Sequence, residues 1–447
     1  MKEIINSQQA AEIFRELYGE QEIDNAQKRY TALVSGMLNN NFPTEELCNT
    51  CGNMRLFSAP GRTELTGNHT DHNRGKVLAA SIQMDCAAAV LERNDNTVFF
   101  RSAGFPDVKI KLTKENGESD LLPKPEEAGK TEALIRGIAA EFVKRGSKIN
   151  GFSANAHSTV LPGSGLSSSA AIEVLIGCIF DSLYGSGKLT PLEIAQIGQI
   201  AENVYFEKPC GLMDQTACAA GGAVAIDFKD TLNPKVKQIN FDLSAVGFAL
   251  CVVNTGGSHA DLTDDYASIP AEMKAVAAFF GKSVLREIEK EQVISGAAEI
   301  RKKLGDRALL RSFHFFNENE RVDDITAALI KMENATGDEK QKFLINYLDL
   351  INESGNSSWE ILQNVYSLNN PKEQGISLAL ALTKEFFQKE NIKSACRVHG
   401  GGFAGTIQSY IPLEKIDVYC KYMETVFGKD SVTVLRIRPK GVMEISI

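Results

Sequence analysis

The feature that most constrains this chain is a glycine- and serine-rich turn, VLPGSGLSSS, followed directly by the apolar run AAIEVLIGCIF. The run predicts a mostly buried helix, and glycines before it let the backbone take positive φ and approach a ligand closely. Amides in the first turn of a helix lack partners within the helix and carry positive partial charge. The turn therefore predicts a phosphate site, although a single serine capping a core helix would give the same pattern.

The turn lacks the GxxxxGK[ST] pattern, because no lysine follows its glycines, so the counter-charge for a phosphate must come from elsewhere. A second stretch, FSAPGRTELTGNHTDHNRGKVLAASI, crowds polar side chains into a turn-rich loop between two strand-like segments. Their number and variety suit the hydroxyls of a sugar, while a metal bound by a histidine and aspartate cluster and plain turn chemistry are the alternatives. The polar residues of this loop are Arg62, Glu64, Asn68, His69, Asp71 and His72.

A lone carboxylate, Asp214, lies in the weakly polar run GLMDQTACAAGGA. Burying it would be costly without a charged partner, which makes it a candidate catalytic group, with a helix cap or a surface carboxylate as the alternative. A further stretch, RVHGGGFAGTIQSYIP, has four glycines before a strand. Such density indicates backbone packed against a ligand or another backbone, unless the segment is simply a flexible turn.

Strand-like and helical segments alternate along the chain, which predicts an α+β fold. NTVFFRS has the alternation of a half-exposed strand, and EALIRGIAAEFVKRG is an amphipathic helix closed by glycine. We predict an N-terminal helical extension over residues 1–50, an N-terminal lobe over 51–228 and a C-terminal lobe over 229–447.

Composition excludes some classes of function. The 48 Lys and Arg against 57 Asp and Glu give a net charge of −9, and no dense basic run offers a surface for nucleic acid. The odd count of nine scattered cysteines indicates reduced thiols, and Cys48 and Cys51 form a CxxC without the second pair that zinc needs. The N-terminal sequence has no signal-peptide core, and no stretch reaches the length expected of a bilayer span, so we expect a cytoplasmic protein with no membrane partner.

The glycine-bearing segments, in their order and spacing, resemble the signature motifs of the GHMP small-molecule kinases: VLPGSGLSSSAA is similar to their phosphate loop and HGGGFAG to their C-terminal glycine motif. Within this superfamily the chain resembles the galactokinase family. APGRTELTGNHTDHNRGKVL is similar to the signature around its sugar site, and CGLMDQ to the segment with its catalytic aspartate. The resemblance runs from about Phe57 to the C-terminus and implies two lobes, the N-terminal one resembling ribosomal protein S5 domain 2, with the active site in the cleft between them.

The resemblance also implies a reaction, the ATP-dependent phosphorylation of the anomeric hydroxyl of galactose, with Mg²⁺ as cofactor. Asp214 would take or orient the proton of that hydroxyl, and Arg62 would hold Asp214 ionised and stabilise the transferring phosphoryl group. Mg²⁺ would be bound by Glu202 and by Ser169 or Ser168. The other implied site residues are Gly163, Ser164, Gly165, Leu166, Ser167, Ser168 and Ser169 for ATP, and Asn68, His69, Asp71, Gly211 and Tyr266 for the sugar.

Departures from the family pattern leave the substrate open. Asn68 stands where the family has a glutamate near the sugar C6 hydroxyl, and a neutral side chain removes one repulsion against a C6 carboxylate. The alternatives are therefore another sugar 1-kinase, acting on a hexuronate such as galacturonate, on N-acetylgalactosamine or on arabinose. A sensor that binds sugar and ATP without turnover, and a metal-dependent enzyme built on HTDH, are further alternatives. We expect a monomer or a weak homodimer. Other departures are His72, Ala79 and the Gly256-Gly257-Ser258 stretch.

Overall fold

The computed structural model describes residues 2–38, 42–160, 165–185, 187–257 and 262–447. Its strands are β1 (Thr50–Thr66), β2 (Lys76–Arg93), β3 (Thr97–Ser102), β4 (Val108–Lys111), β5 (Phe152–Ser158), β6 (Ala223–Asp227), β7 (Lys235–Ile239), β8 (Phe248–Asn254), β9 (Cys396–His399), β10 (Thr406–Pro412), β11 (Val432–Leu435) and β12 (Met443–Ile445). Its helices are α1 (Lys2–Ile5), α2 (Gln8–Tyr18), α3 (Ile23–Leu38), α4 (Thr131–Lys144), α5 (Ser168–Phe180), α6 (Pro191–Ile200), α7 (Met213–Ala220), α8 (Thr263–Phe279), α9 (Lys290–Ser295), α10 (Ala297–Leu304), α11 (Asp306–Asn334), α12 (Gly337–Ser357), α13 (Gly375–Lys389) and α14 (Ile416–Phe427).

The strands form two sheets, and the larger one has the order β12-β1-β2-β5-β3-β4, with β6 paired to β2 and β7 paired to β6. The long strand β2 serves two neighbours on one side: residues 76–80 pair with β6, and residues 86–92 pair with β5. The smaller sheet has the order β11-β8-β10-β9. Because β7 and β12 belong to the larger sheet, that sheet draws strands from beyond residue 228, where the sequence places the lobe boundary.

Successive residues of β2 face opposite sides of the larger sheet, as the pleat of a strand requires. Ala88 and Val90 pack into a core shared with α4, α5, α6 and α7. Ala87 and Ala89 face the other side and pack against the N-terminal helices α2 and α3. Small alanines let elements approach the strand closely on both faces, so the predicted N-terminal helical extension is packed against the sheet.

A buried charge cluster also joins this extension to the sheet. Asp85 of β2 is fully buried and accepts hydrogen bonds from Arg29 of α3 at 2.6 Å and from Tyr18 of α2 at 2.7 Å. Ser58 also bonds to this carboxylate, and Arg438 lies 3.4 Å from it. Burial alone would raise the pKa of Asp85, but the two guanidinium groups outweigh it and the pKa is lowered.

The expectation that no stretch is long enough to span a bilayer is wrong. By length and composition alone, the helical segment Ser168–Gly185 could cross a membrane. It consists of α5 and the π-helical turn Asp181–Gly185. The structure buries 61% of this segment inside the protein. Ala171, Leu175 and Ile179 belong to the core beneath the larger sheet, so the segment occupies the position of a core helix.

Candidate active site

Arg62 and Asp214, which are 152 positions apart in the sequence, form a two-point ion pair. Arg62 lies near an irregularity of β1, and Asp214 lies in the first turn of α7. The Arg62 Nε–Asp214 Oδ1 distance is 2.7 Å, and the Nη2–Oδ2 distance is 2.9 Å. The Arg62 side chain is 9% exposed and that of Asp214 is 33% exposed, so the carboxylate is both paired and open to a ligand.

Two effects act against each other on the pKa of Asp214. Burial raises it, whereas the charge of Arg62 and the hydrogen bonds from Arg62 and Ser167 lower it, and the net result is a lowered pKa. For Arg62, burial alone would lower the pKa, but the charge of Asp214 outweighs burial and raises it. Both groups therefore stay ionised at neutral pH.

The glycine and serine turn lies directly against this pair. The guanidinium of Arg62 donates to the carbonyl of Gly165 at 2.5 Å. The backbone amide of Arg62 donates to the carbonyl of Leu166 at 3.1 Å. Gly165 has a φ of +73°, a conformation that glycine adopts without strain. Gly163 and Ser164, the first two residues predicted to bind ATP, lie outside the described residues.

The position of Ser167 bears on the alternative in which a serine of the turn simply caps the helix. Ser167 precedes the first residue of α5 and has a left-handed backbone with φ of +59°. Its hydroxyl makes no capping bond to the helix and instead donates to Asp214 Oδ2 at 2.5 Å. Ser168 and Ser169 form the start of the helix, and both are partly exposed. The serine at the cap position is therefore not a simple helix cap, because its side chain points to the candidate catalytic carboxylate.

The C-terminal glycine motif closes the site from the second sheet. His399, at the end of β9, bonds to Thr63 of β1 at 3.0 Å and to Thr406 of β10 at 2.9 Å. A Cβ added to Gly165 would lie 3.4 Å from the His399 ring, so the imidazole packs against the glycine and serine turn. Burial, followed by the charge of Arg62, lowers the pKa of His399 to about 3 and keeps the ring neutral. His399 is the first residue of the HGGGFAG motif but was not among the predicted site residues.

Two of the residues predicted to bind the sugar, His69 and Tyr266, contact the C-terminal glycine motif. His69 Nε2 lies 2.9 Å from the carbonyl of Gly401, and Tyr266 donates to the carbonyl of Gly402 at 2.9 Å. Burial, followed by repulsion from His72, lowers the pKa of His69 to about 4. Asp71 and Gly211 are adjacent, since a Cβ on Gly211 would lie 2.5 Å from Asp71 Oδ2.

Asn68 differs from the other predicted sugar ligands because the protein itself uses its amide. The residue is 1% exposed. Its Nδ2 donates to Glu64 Oε1 at 3.1 Å and to the carbonyl of Gly400 at 2.8 Å, while its Oδ1 accepts from Asn364 at 2.7 Å. Glu64 in turn pairs with the buried Arg397 at 2.9 Å. In this conformation Asn68 presents almost no surface to a ligand.

Glu202 lies in the π-helical turn Ala201–Tyr205, a local irregularity that often marks functional positions. The residue is 2% exposed; its Oε1 accepts from Lys208 at 2.8 Å and its Oε2 accepts from Gln215 at 2.9 Å. A second buried carboxylate, Glu173 of α5, accepts from the same Gln215 nitrogen at 2.9 Å. Burial, and then repulsion from Glu202, raises the pKa of Glu173 well above its usual range.

These groups suit Mg²⁺, which prefers oxygen ligands and carboxylates. Within the described part of the chain, Glu173 Oε1 and Gln215 Oε1 are buried oxygens without a hydrogen-bond partner. Glu202 already holds a cation, the ammonium of Lys208. Ser169 is four residues before Glu173 on α5, so the two side chains lie on one face of the helix. The sequence analysis missed Glu173, although its carboxylate in an apolar run is the signal that identified Asp214.

Comparisons with known proteins give the class first. The family model described as GHMP kinases N terminal domain matches residues 133–222, and the one described as Galactokinase galactose-binding signature matches residues 47–91. The fold is similar to the crystal structure of Methanococcus jannaschii mevalonate kinase, with a TM-score of 0.57 at 13% identity, covering 86% of this chain and 99% of that one. Fold and motifs together define a GHMP kinase, as the resemblance predicted.

More similar relatives narrow the class. The chain is 30% identical over 387 residues to a galactokinase of Streptomyces coelicolor, covering 86% of this chain and 91% of that one. It is 29% identical to a galactokinase of Glaesserella parasuis, with 83% and 89% covered. The structure of Lactococcus lactis galactokinase complexed with galactose matches with a TM-score of 0.72 at 23% identity, covering 92% of this chain and 100% of that one. This chain belongs to the galactokinase family, and the predicted α+β GHMP kinase fold is confirmed.

Proposed function

We propose that this protein transfers the γ-phosphoryl group of ATP to the anomeric hydroxyl of galactose, giving galactose 1-phosphate and ADP. The observation that carries the proposal is the Arg62–Asp214 ion pair, which lies against the glycine and serine turn and is partly open to solvent. Membership of the galactokinase family supplies the substrates. In the reaction, the sugar O1–phosphorus bond forms, the bond from the γ-phosphorus to the β,γ-bridging oxygen breaks, and the hydroxyl proton leaves O1.

Asp214 is the group that accepts or orients this proton, because its carboxylate is ionised and has exposed surface. Arg62 fixes the carboxylate by two hydrogen bonds and places positive charge beside the turn, where negative charge moves during transfer. Ser167 adds a third hydrogen bond to Asp214 and so links the turn to the carboxylate. Positioning and charge neutralisation account for most of the expected acceleration.

The turn from Gly163 to Ser169 would bind the ATP phosphates through the amides at the start of α5. Mg²⁺ would be held by Glu202 and Ser169, and when bound it neutralises phosphate charge in place of the lysine that the turn lacks. Glu202 has a fixed rotamer because Gln215 and Lys208 each hold one of its oxygens. Ser169 is favoured over Ser168 because it shares a helix face with Glu173.

We place the sugar beside His69, Asp71, Gly211 and Tyr266, with Asn68 acting behind them. The Asn68 amide donates to Glu64 and to the carbonyl of Gly400. These two hydrogen bonds would fix the position of the glycine motif beside the sugar. A hexuronate remains the second candidate, because the neutral Asn68 adds no charge beside the ion pair of Glu64 with Arg397. The intact pair of Arg62 and Asp214 favours a catalyst over a sensor.

Turnover of ATP at fixed Mg²⁺, followed by ADP release, tests the proposal on a panel of galactose, galacturonate, N-acetylgalactosamine and arabinose. Galactose is expected to give the highest kcat/KM. Galacturonate as the best substrate would replace the proposed one, and absence of turnover with every sugar would remove the kinase assignment.

We also propose a cytoplasmic protein that acts as a monomer or a weak homodimer. All nine cysteines are free thiols, which is the state expected in a reducing compartment. Sedimentation at micromolar concentration distinguishes a monomer from a dimer.

A further inference from the structure

The side chains of Glu173, Glu202 and Gln215 form a buried cluster behind the phosphate turn, which we call the acid–amide cluster. One nitrogen, Gln215 Nε2, lies 2.9 Å from Glu173 Oε2 and 2.9 Å from Glu202 Oε2. An amide nitrogen has two hydrogens, so each carboxylate takes one of them. The two acids therefore share one buried donor, which links the rotamer of Glu173 to that of Glu202.

Within the described ranges, only one of the two acids in this cluster has a positively charged partner. Glu173 is 0% exposed and Glu202 is 2% exposed. Of these two acids, Glu202 is the one that the ammonium of Lys208 contacts. Buried carboxylates are costly unless each is paired with positive charge. In the described part of the chain, Arg62 is committed to Asp214, which leaves Glu173 without a cation.

Two oxygens of the cluster also lack a hydrogen-bond partner. Glu173 Oε1 and Gln215 Oε1 are buried acceptors with no hydrogen-bond partner among the described residues. Gly198 of α6 packs tightly against Glu173, since a Cβ there would lie 3.1 Å from Glu173 Cβ. Most buried polar atoms have a partner, so acceptors without one indicate a missing positively charged or donating group.

We propose that Glu173 is a positioning residue of the divalent-cation site: through the Gln215 amide it fixes Glu202, and it supplies the second carboxylate that makes the site favour a divalent cation over the ammonium of Lys208. This inference rests on the proposed function, because the divalent cation is the one that would bind together with ATP. Lys208 is the exchangeable partner of Glu202, because its side chain is 58% exposed, whereas Gln215 is the buried and fixed one.

The test is Mn²⁺ binding in the presence of ADP, measured by electron paramagnetic resonance on the whole protein without any sugar. Glu173→Gln keeps the size of the side chain and an oxygen acceptor for Gln215 but removes the charge. We expect its Mn²⁺ affinity to fall about 10- to 100-fold, the range seen when residues behind metal ligands are changed. The affinity of the variant for ADP in the absence of metal is expected to stay within about twofold of the wild-type value.

Stability of the metal-free protein separates this role from a merely structural one. Because Glu173→Gln removes one of two neighbouring acids, the metal-free variant is expected to unfold at the same or a higher temperature than the wild type. The matched control is Glu46→Gln, another buried acid, whose ion pairs are with Arg93 of β2 and Lys109 of β4. It is expected to lower stability and to leave Mn²⁺ binding unchanged.

Gln215→Leu provides a second route, because it breaks the bridge without touching either acid. Its loss of Mn²⁺ affinity and that of Glu173→Gln should be non-additive in the double variant, since both act through one bridge. Mn²⁺ affinity of folded Glu173→Gln within about twofold of the wild type would overturn the inference, as would full additivity. If the wild type binds Mn²⁺ with ADP but phosphorylates no sugar, the proposed function fails and the role of Glu173 is still decided by these measurements.

Discussion

Replacing Arg29 with methionine tests whether the N-terminal extension is held to the catalytic lobe by charge. The Arg29 side chain is 17% exposed, and its Nη2 lies 2.6 Å from the fully buried Asp85. Arg29→Met keeps most of the side-chain length but leaves Asp85 with one fewer guanidinium. Removing one partner of a buried ion pair costs about 3–5 kcal/mol, and the value here should lie near 3 because Arg438 remains 3.4 Å from Asp85.

The assay is guanidinium-induced unfolding followed by circular dichroism, comparing midpoints at an unchanged slope. The control is Arg15→Met on the same extension, because the Arg15–Glu20 pair has side chains 49% and 69% exposed. Exposed pairs contribute about 0–1 kcal/mol, so this variant should resemble the wild type. Equal and small losses in both variants would show that the apolar contacts of Phe14 and Tyr30 hold the extension without help from Asp85.

Three further predictions concern the active site. Asp214→Asn is expected to lower kcat about 10²- to 10⁴-fold, the usual contribution of a general base, while ADP affinity stays near that of the wild type; unchanged kcat would remove Asp214 from proton transfer. The pKa of His399 is lowered to about 3 in the folded protein. Below about pH 6.5 the unfolded chain therefore binds a proton at this histidine and the folded protein does not. As a result, the free energy of unfolding falls as the pH drops from about 6.5 towards 3. His399→Gln should therefore reduce the slope of unfolding free energy against pH between 4.5 and 5.5 by about 1.4 kcal/mol per pH unit, and an identical slope in both proteins would contradict a buried neutral imidazole. Asn68→Glu places a second acid within hydrogen-bond reach of Glu64 and should cost about 1–3 kcal/mol of stability, measured by thermal unfolding against Asn68→Gln; a more stable glutamate variant would contradict the buried placement of Asn68.

The phosphate turn shows what local sequence determines. Glycines followed by serines and an apolar run specify a turn and a helix start through conformational freedom and unpaired amides, and neither depends on distant residues. The prediction of α5 after this turn is confirmed by the helix that begins at Ser168. The use of the Ser167 hydroxyl was not predictable in this way, because its partner Asp214 lies 47 positions away.

The pair of Arg62 and Asp214 shows where resemblance was needed. Asp214 was identified as costly to bury, but nothing near it in the sequence provides its partner. Only the family motifs implied Arg62, and the folded chain brings the two side chains to within 2.7 Å. Asn68 shows the opposite case, since the motif implied a sugar ligand whereas packing against Asn364 and Gly400 encloses its amide.

Short segments of the sequence are enough to predict the α+β class and a turn followed by a helix start, because hydrophobic period and the conformational freedom of glycine are local properties. They also single out Asp214 as an acid that is costly to bury, but they leave a catalytic group, a helix cap and a surface carboxylate all open. Only the tertiary structure decided which polar groups share a partner, as when Gln215 holds Glu173 and Glu202 together or His399 packs against Gly165. These pairings depend on distances between segments far apart in the chain. They are set by the packing of the two sheets and their helices, and no local pattern encodes them.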